Sequence, residues 1–121
     1  MKKILLVEDD VFLQQLYKDV LIQAGYDVEA VDDGNIALEK IKMDSWNLIL
    51  LDVMLPHMDG FTILNTIKKD QIHLSCPVVF MTNLDGNEDD KTKLKAADEY
   101  WIKSDMSPPE FIANVKRMLQ R

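Results

Sequence analysis

The residues able to do chemistry stand at the ends of short apolar runs. Ile4-Leu5-Leu6-Val7 runs into Glu8-Asp9-Asp10, Leu48-Ile49-Leu50-Leu51 into Asp52, Val78-Val79-Phe80-Met81 into Thr82, and Tyr100-Trp101-Ile102 into Lys103. If these runs lie side by side, several carboxylates, a hydroxyl and an ammonium meet at one edge. Two carboxylates about 4 Å apart repel by roughly 4 kcal/mol at an effective dielectric near 20. Such a cluster needs positive charge. A hard divalent ion such as Mg²⁺ takes oxygen ligands and few carboxylates, keeping several waters, and Lys103 can neutralise another part of the cluster. The plainer alternative is that the acids solvate strand ends or cap helices, as Asp9 or Asp10 could for the segment that follows. Acids on two strands, with Thr and Lys at the neighbouring ends, favour the cation site.

The elements that must position these residues are legible in the apolar pattern. Short runs at Ile4–Val7, Val28–Val31, Leu48–Leu51, Val78–Met81 and Tyr100–Ile102 alternate with segments of helical spacing, giving five strand-helix units. The first helix carries Leu13, Leu16, Tyr17, Val20, Leu21 and Ala24 and stops at Gly25; the last carries Phe111, Ile112, Val115, Met118 and Leu119. Ser107 with Glu110 fits a capping box, and Pro108 suits the first helical position, so the last helix starts near residue 108. Strands separated by helices imply a parallel sheet with right-handed crossovers.

The strand compositions suggest an order. The first, third and fourth runs are continuously apolar, as strands covered on both faces should be, whereas Asp27–Val31 alternates and Glu99–Lys103 has polar ends. Strands two and five therefore belong at the edges. The expectation is an α/β fold, a doubly wound five-stranded parallel sheet of order 2-1-3-4-5, flavodoxin-like, in one domain over residues 1–121. Ligands of such sheets bind beyond the carboxyl ends of the strands, at the switch point between strands one and three, where Glu8, Asp9 and Asp52 would meet.

Composition excludes other classes of function. A net charge of −7 argues against direct binding to nucleic acid or anionic lipid, which needs clustered Lys and Arg. No apolar run is long enough for a membrane span, and the Met1-Lys2-Lys3-Ile4 start lacks the features of a secretory signal. The single cysteine, Cys76, cannot form an internal disulfide and suits a reducing cytoplasm, with packing as its role. His57 and His73 lack a ligand partner at useful sequence spacing and read as surface residues.

"ILLVEDD", "LILLDVMLPHMDG", "VVFMTN" and "ADEYWIK", in this order and spacing, resemble the receiver domains of two-component response regulators over essentially the whole chain. The resemblance implies a phosphorylation-dependent signalling switch, not an enzyme, that assists its own phosphorylation and dephosphorylation. It implies Asp52 as phospho-acceptor, Glu8 and Asp9 as the acidic pair, and Lys103 as the lysine of the site. Thr82 becomes the switch hydroxyl and Tyr100 the switch aromatic. Mg²⁺ would be held by Glu8, Asp9, Asp52 and the backbone carbonyl of Met54. The implied partners are a sensor histidine kinase or histidine phosphotransfer protein, and an output protein or second copy at the face of helix 4, strand 5 and helix 5. The implied setting is the cytoplasm.

The sequence also departs from that family's pattern. Asn83 follows Thr82 where a small residue is usual, Ala96 stands where glycine is common, and the segment before the fifth strand is about one residue short, so a short or tilted fourth helix is expected. Ser104 replaces the usual proline after Lys103; a cis bond there would cost roughly 3–4 kcal/mol, yet the need for the lysine to reach its target favours cis. Asn114 stands where DNA-binding relatives carry an arginine in the fifth helix, which favours a stand-alone regulator acting through protein contacts. A phosphatase of the haloacid dehalogenase type would need a second acid where Met54 stands. A pseudo-receiver binding module would lack the acceptor, acid or lysine that this chain keeps, and a flavin phosphate would be repelled by Glu8-Asp9-Asp10.

Overall fold

The structure, a computed structural model, describes residues 1–43, 45–83 and 88–120. Its elements alternate as the apolar pattern requires: β1 (Lys3–Val7), α1 (Val11–Gln23), β2 (Asp27–Val31), α2 (Gly34–Lys42), β3 (Leu48–Asp52), α3 (Gly60–Lys69), β4 (Val78–Thr82), α4 (Glu88–Leu94), β5 (Glu99–Ile102) and α5 (Pro108–Leu119). A 3₁₀ turn, Lys103–Asp105, joins β5 to α5. All five strands pair in parallel in the order β2-β1-β3-β4-β5. The three central strands are buried almost throughout, while β2 and β5 are half-exposed edges, as their polar residues foretell.

Period-two alternation divides the core in two. Ile4, Leu6, Leu48, Leu50, Val79, Met81 and Trp101 face α1 and α5, packing on Tyr17, Leu21, Phe111, Val115 and Met118. Leu5, Val7, Ile49, Leu51, Val78 and Phe80 face α2 and α3, with Leu94 from α4. Each fully buried Leu, Ile or Phe contributes about 1.5–3 kcal/mol, so both faces hold the sheet rigid beneath its carboxyl edge. The stripe on α1 is narrower than its spacing suggests. Leu16 and Ala24 are exposed, because the helix meets the sheet along the line of Tyr17 and Leu21 and leaves its flanks to solvent.

The helix ends obey local chemistry. Asp10 caps α1, Asp33 caps α2 and Asp59 caps α3, each accepting from backbone N–H groups of the first turn. Ser107 and Glu110 form the reciprocal capping box, with Pro108 opening α5. Gly25, with φ +94°, ends α1 in a conformation that costs a glycine little. α4 is described over Glu88–Leu94; Asp44, residues 84–87 and Arg121 lie outside the described residues, and the expectation of a short fourth helix falls in part on them.

Candidate functional site

Alternation also brings the charged residues together. Continuing in steps of two past Leu6, past Leu50 and past Trp101 gives Glu8, Asp52 and Lys103, all on the side of the sheet that faces α1 and α5. The adjacency of β1 and β3 then sets Glu8 beside Asp52, with Asp9 next to them: one carboxylate oxygen from each lies within 4.8 Å of the others. Glu8 and Asp52 are buried and Asp9 is exposed. Lys103 reaches in from the end of β5, its Nζ 2.6 Å from Glu8 Oε1 and 2.9 Å from Asp52 Oδ2. Its side chain is only 7% exposed, so the three charges form a desolvated triad and not a surface ion pair.

The triad perturbs its members in a consistent sense. Burial pushes the Glu8 carboxyl above its ordinary range; the Lys103 hydrogen bond pulls it down and the Asp52 charge pushes it up again, leaving it raised. Burial lowers Lys103, but its hydrogen bonds to Glu8 and Asp52 and their charges outweigh that, holding the ammonium more firmly protonated than usual. One ammonium therefore serves two buried carboxylates, with exposed Asp9 as a third. This surplus of hard oxygen donors, open to solvent at Asp9, fits a divalent cation of the Mg²⁺ kind.

Backbone contacts fix the loops that carry the acids. Glu8 N–H donates to Val31 O at 3.0 Å, and the Gln14 amide donates to Glu8 O at 2.8 Å and to Val31 O at 3.3 Å, tying α1 to the β1 end. Asp10 N–H donates to Glu8 Oε2 at 3.1 Å, which leaves the other Glu8 oxygen to Lys103. Met54 N–H donates to Asp52 Oδ1 at 3.3 Å, holding the Met54 backbone beside the Asp52 carboxylate. Gly60 makes the tight return into α3: a Cβ there would lie 2.5 Å from the Asp52 carbonyl oxygen. Gly34 likewise lets α2 meet the same loop, since a Cβ would fall 1.8 Å from the Met58 carbonyl oxygen. His57, in the left-handed region at φ 69°, pairs with Asp33, and Gly34 N–H donates to Pro56 O at 3.1 Å.

Every residue singled out from the sequence thus has a definite place. Glu8, Asp9, Asp52 and Lys103 converge. Thr82 ends β4 fully buried, and Tyr100 on β5 is 41% exposed. Phe80 pairs with Tyr100 and Thr82 with Ile102, so alternation puts Thr82 and Tyr100 on the same sheet face, toward α4. Trp101 and Trp46 are core. One expectation is corrected: the Lys103–Ser104 peptide is trans, as is every peptide bond of the described residues. Lys103 reaches both carboxylates from the 3₁₀ turn without the non-proline cis penalty of roughly 3–4 kcal/mol, so the geometric demand for cis does not arise. The contacts of Gln14, Gly34 and the Asp33–His57 pair are not legible in the sequence, because each joins separate elements of the fold. The glycine-after-aspartate pattern of Asp33-Gly34 and Asp59-Gly60 was the one local signal.

Residues 4–116 match the profile of the response regulator receiver domain. The alkaline phosphatase synthesis transcriptional regulatory protein PhoP of Bacillus subtilis is 37% identical over 99% of this chain and 49% of its own length. The chain thus spans about half the length of the curated relatives it matches. A Francisella response regulator receiver domain superposes with a TM-score of 0.87 at 30% identity, covering 100% of this chain and 98% of that one. The receiver domain of a Pseudomonas aeruginosa sensor histidine kinase, solved with a magnesium ion coordinated in its active-site cleft, superposes with a TM-score of 0.87 at 26% identity, covering 99% and 98%. Sheet order, carboxylate cluster and sequence agree: the chain belongs to the receiver domains of two-component response regulators, the phosphorylation-dependent switches of that signalling system.

Proposed function

We propose that Asp52 accepts a phosphoryl group from a phosphohistidine, or from a small acyl phosphate, and that Glu8, Asp9, Asp52 and the Met54 carbonyl hold Mg²⁺ beside it. The observation that carries this reading is the buried Glu8–Lys103–Asp52 triad with Asp9 at its open side. Phosphoryl transfer to a carboxylate demands alignment and neutralisation of charge more than a strong base. Mg²⁺, when bound, neutralises phosphoryl oxygens and the carboxylates together. Lys103 supplies a second positive charge, and Thr82, buried at the end of the adjacent strand, offers its hydroxyl to a phosphoryl oxygen. The chain promotes its own modification and its reversal by water and is otherwise no catalyst.

The acids fit a metal on chemical grounds, and a Mg²⁺ titration tests it. Mg²⁺ is expected to raise Tm by mass action, by about 2.7 kcal/mol of stability at a concentration one hundred times Kd. Asp9→Ala is expected to weaken calorimetrically measured Mg²⁺ affinity at least tenfold. Equal affinity in that variant sinks the metal assignment.

The new charge, about −1.5 to −2, becomes a signal through Thr82 and Tyr100. Thr82 moving toward the phosphoryl group vacates space on the face it shares with Tyr100, and Tyr100 turns inward, changing the surface of α4, β5 and α5 that an output protein or second copy reads. Thr82→Ala is expected to accept phosphate yet lose most of the amide-exchange response around Tyr100. An unchanged response in the variant removes Thr82 from the switch. Val11 and Phe12 at the start of α1 and Met54 in the loop after β3 expose apolar side chains, a surface suited to a histidine kinase or phosphotransfer protein in the cytoplasm.

A further inference from the structure

Two residues that break the receiver pattern, Asn83 and Ser104, touch each other. The Ser104 N–H donates to Asn83 Oδ1 at 3.0 Å, across 21 positions of sequence. This bond needs both departures: a proline at 104 would have no N–H to give, and a glycine or alanine at 83 would have no side-chain oxygen to receive it. Asn83 directly follows Thr82, and Ser104 directly follows Lys103. The bond therefore ties together the two loops that present the hydroxyl and the ammonium of the site.

The tie bears on a demanding reach. Lys103 starts from the end of edge strand β5 and must pass β4 to meet Asp52 on β3 and Glu8 on β1. The turn it starts from is short. Lys103–Asp105 makes a single 3₁₀ turn, closed by a long 3.3 Å bond from Met106 N–H to Lys103 O, and its N-terminal residue Ile102 has no side-chain cap. A turn so lightly closed by its own backbone gains its direction from an outside contact, and Asn83 supplies one at the residue next to the lysine.

We infer that Asn83 is a positioning residue for Lys103, its carboxamide oxygen clamping the Ser104 N–H and so fixing the turn from which the ammonium reaches the phospho-acceptor. The inference rests on the reading of Asp52 as acceptor and adds to it a part that this chain builds from its own two departures. The clamp does not set the places of Glu8, Asp9 and Asp52, which β1 and β3 fix, and it touches their charge only through Lys103, whose loosening leaves them less neutralised and no poorer as metal ligands. Its removal should therefore separate metal binding from phosphoryl transfer.

The test compares variants of the full chain with acetyl phosphate and Mg²⁺. Asn83→Ala removes the acceptor, while Ser104→Ala keeps the backbone N–H and so keeps the bond. Asn83→Ala is expected to slow phosphorylation roughly 3- to 10-fold, the range of one net hydrogen bond. Its calorimetric Mg²⁺ affinity should match or exceed that of wild type, since a loosened Lys103 leaves the carboxylates less neutralised, and its Ser104 amide should exchange faster. Ser104→Ala should phosphorylate at the wild-type rate. An equal or faster rate in Asn83→Ala, or an equal loss in Ser104→Ala, overturns the clamp while leaving Asp52 as acceptor. A wild-type protein that takes up no phosphoryl group overturns the acceptor reading instead; the Ser104 exchange rate then still reports whether the bond exists.

Discussion

Asp52→Asn is expected to take up no phosphoryl group where the wild-type protein, given Mg²⁺ and acetyl phosphate, gains the mass of one. The loss should be at least a hundredfold in rate, because the amide keeps the size of the side chain but lacks the nucleophilic oxygen. The neighbouring acids cannot substitute. Glu8 is held by Lys103 and by Asp10 N–H, Asp10 caps α1 through Leu13 N–H at 3.0 Å, and Asp59 caps α3 through Thr62 N–H at 2.8 Å. Asp9 is exposed, but it stands beside the triad, without the ammonium that Asp52 has at 2.9 Å. The variant should also stay folded. Asp52 charge is one of the causes that raise Glu8, so removing it relieves repulsion in the buried triad, and Tm without Mg²⁺ should hold or rise. Loss of labelling with Tm maintained assigns the acceptor. Labelling at the wild-type rate on another acid or a histidine would remove Asp52 from its role and leave a constitutive binding module in its place.

The assignment of Asp52 could begin from sequence because the relevant signals are local. Four apolar residues ending on an acid define both a buried strand and the edge at which it stops, and Leu48–Asp52 does so in the structure. The five runs located the strands to within a residue, and the polarity of Asp27–Val31 and of Glu99–Ile102 ordered the sheet by assigning its edges. Period-two counting past Leu6 and Leu50 then puts Glu8 and Asp52 on one side of the sheet. The unread features join loops far apart in the chain. Asn83 and Ser104 were each visible as a departure, but the bond between them depends on the direction of a three-residue turn. The trans Lys103–Ser104 peptide is hidden from the sequence for the same reason: the reach of a lysine depends on where its turn starts, which side-chain pattern does not encode. The meeting of Gly34 with Met58, and of Asp33 with His57, follows from how α2 docks on the loop after β3, a packing outcome with only the Asp-Gly pair as a local sign. Leu16 is exposed despite its spacing, because helical spacing says which residues could face a core, whereas the width of the contact is set by the sheet beneath.

Lys103→Met should reveal how much of the fold's stability the site has at stake. The side chain is nearly buried and its ammonium contacts both Glu8 and Asp52, so a similar-sized apolar group leaves two desolvated carboxylates without a counter-charge. Breaking such a buried pair costs about 3–5 kcal/mol, which for a domain of this size is a Tm drop of roughly 10–20 °C in EDTA. The drop should depend on pH in a definite sense. Glu8 binds its proton more tightly in the fold than its ordinary value of 4.5 allows, and loss of Lys103, which pulls it down, raises it further. A carboxyl raised in the folded state adds stability below its unfolded value and loses that stability as pH rises through its folded value. The variant's deficit should therefore be small near pH 4.5, where Glu8 is protonated, and grow toward neutrality, where the fold must either bind a proton at cost or confine two like charges. Mg²⁺ should restore more Tm to the variant than to the wild type, because the unneutralised carboxylates favour a cation more strongly. Phosphorylation should nonetheless stay slow, since a metal on the acids does not replace the ammonium aimed at the phosphoryl oxygens. A deficit under about 1 kcal/mol, or one that does not change between pH 5 and pH 8, would mean that Glu8 and Asp52 are relieved by something other than Lys103. The triad would then lose its standing as the centre of the site.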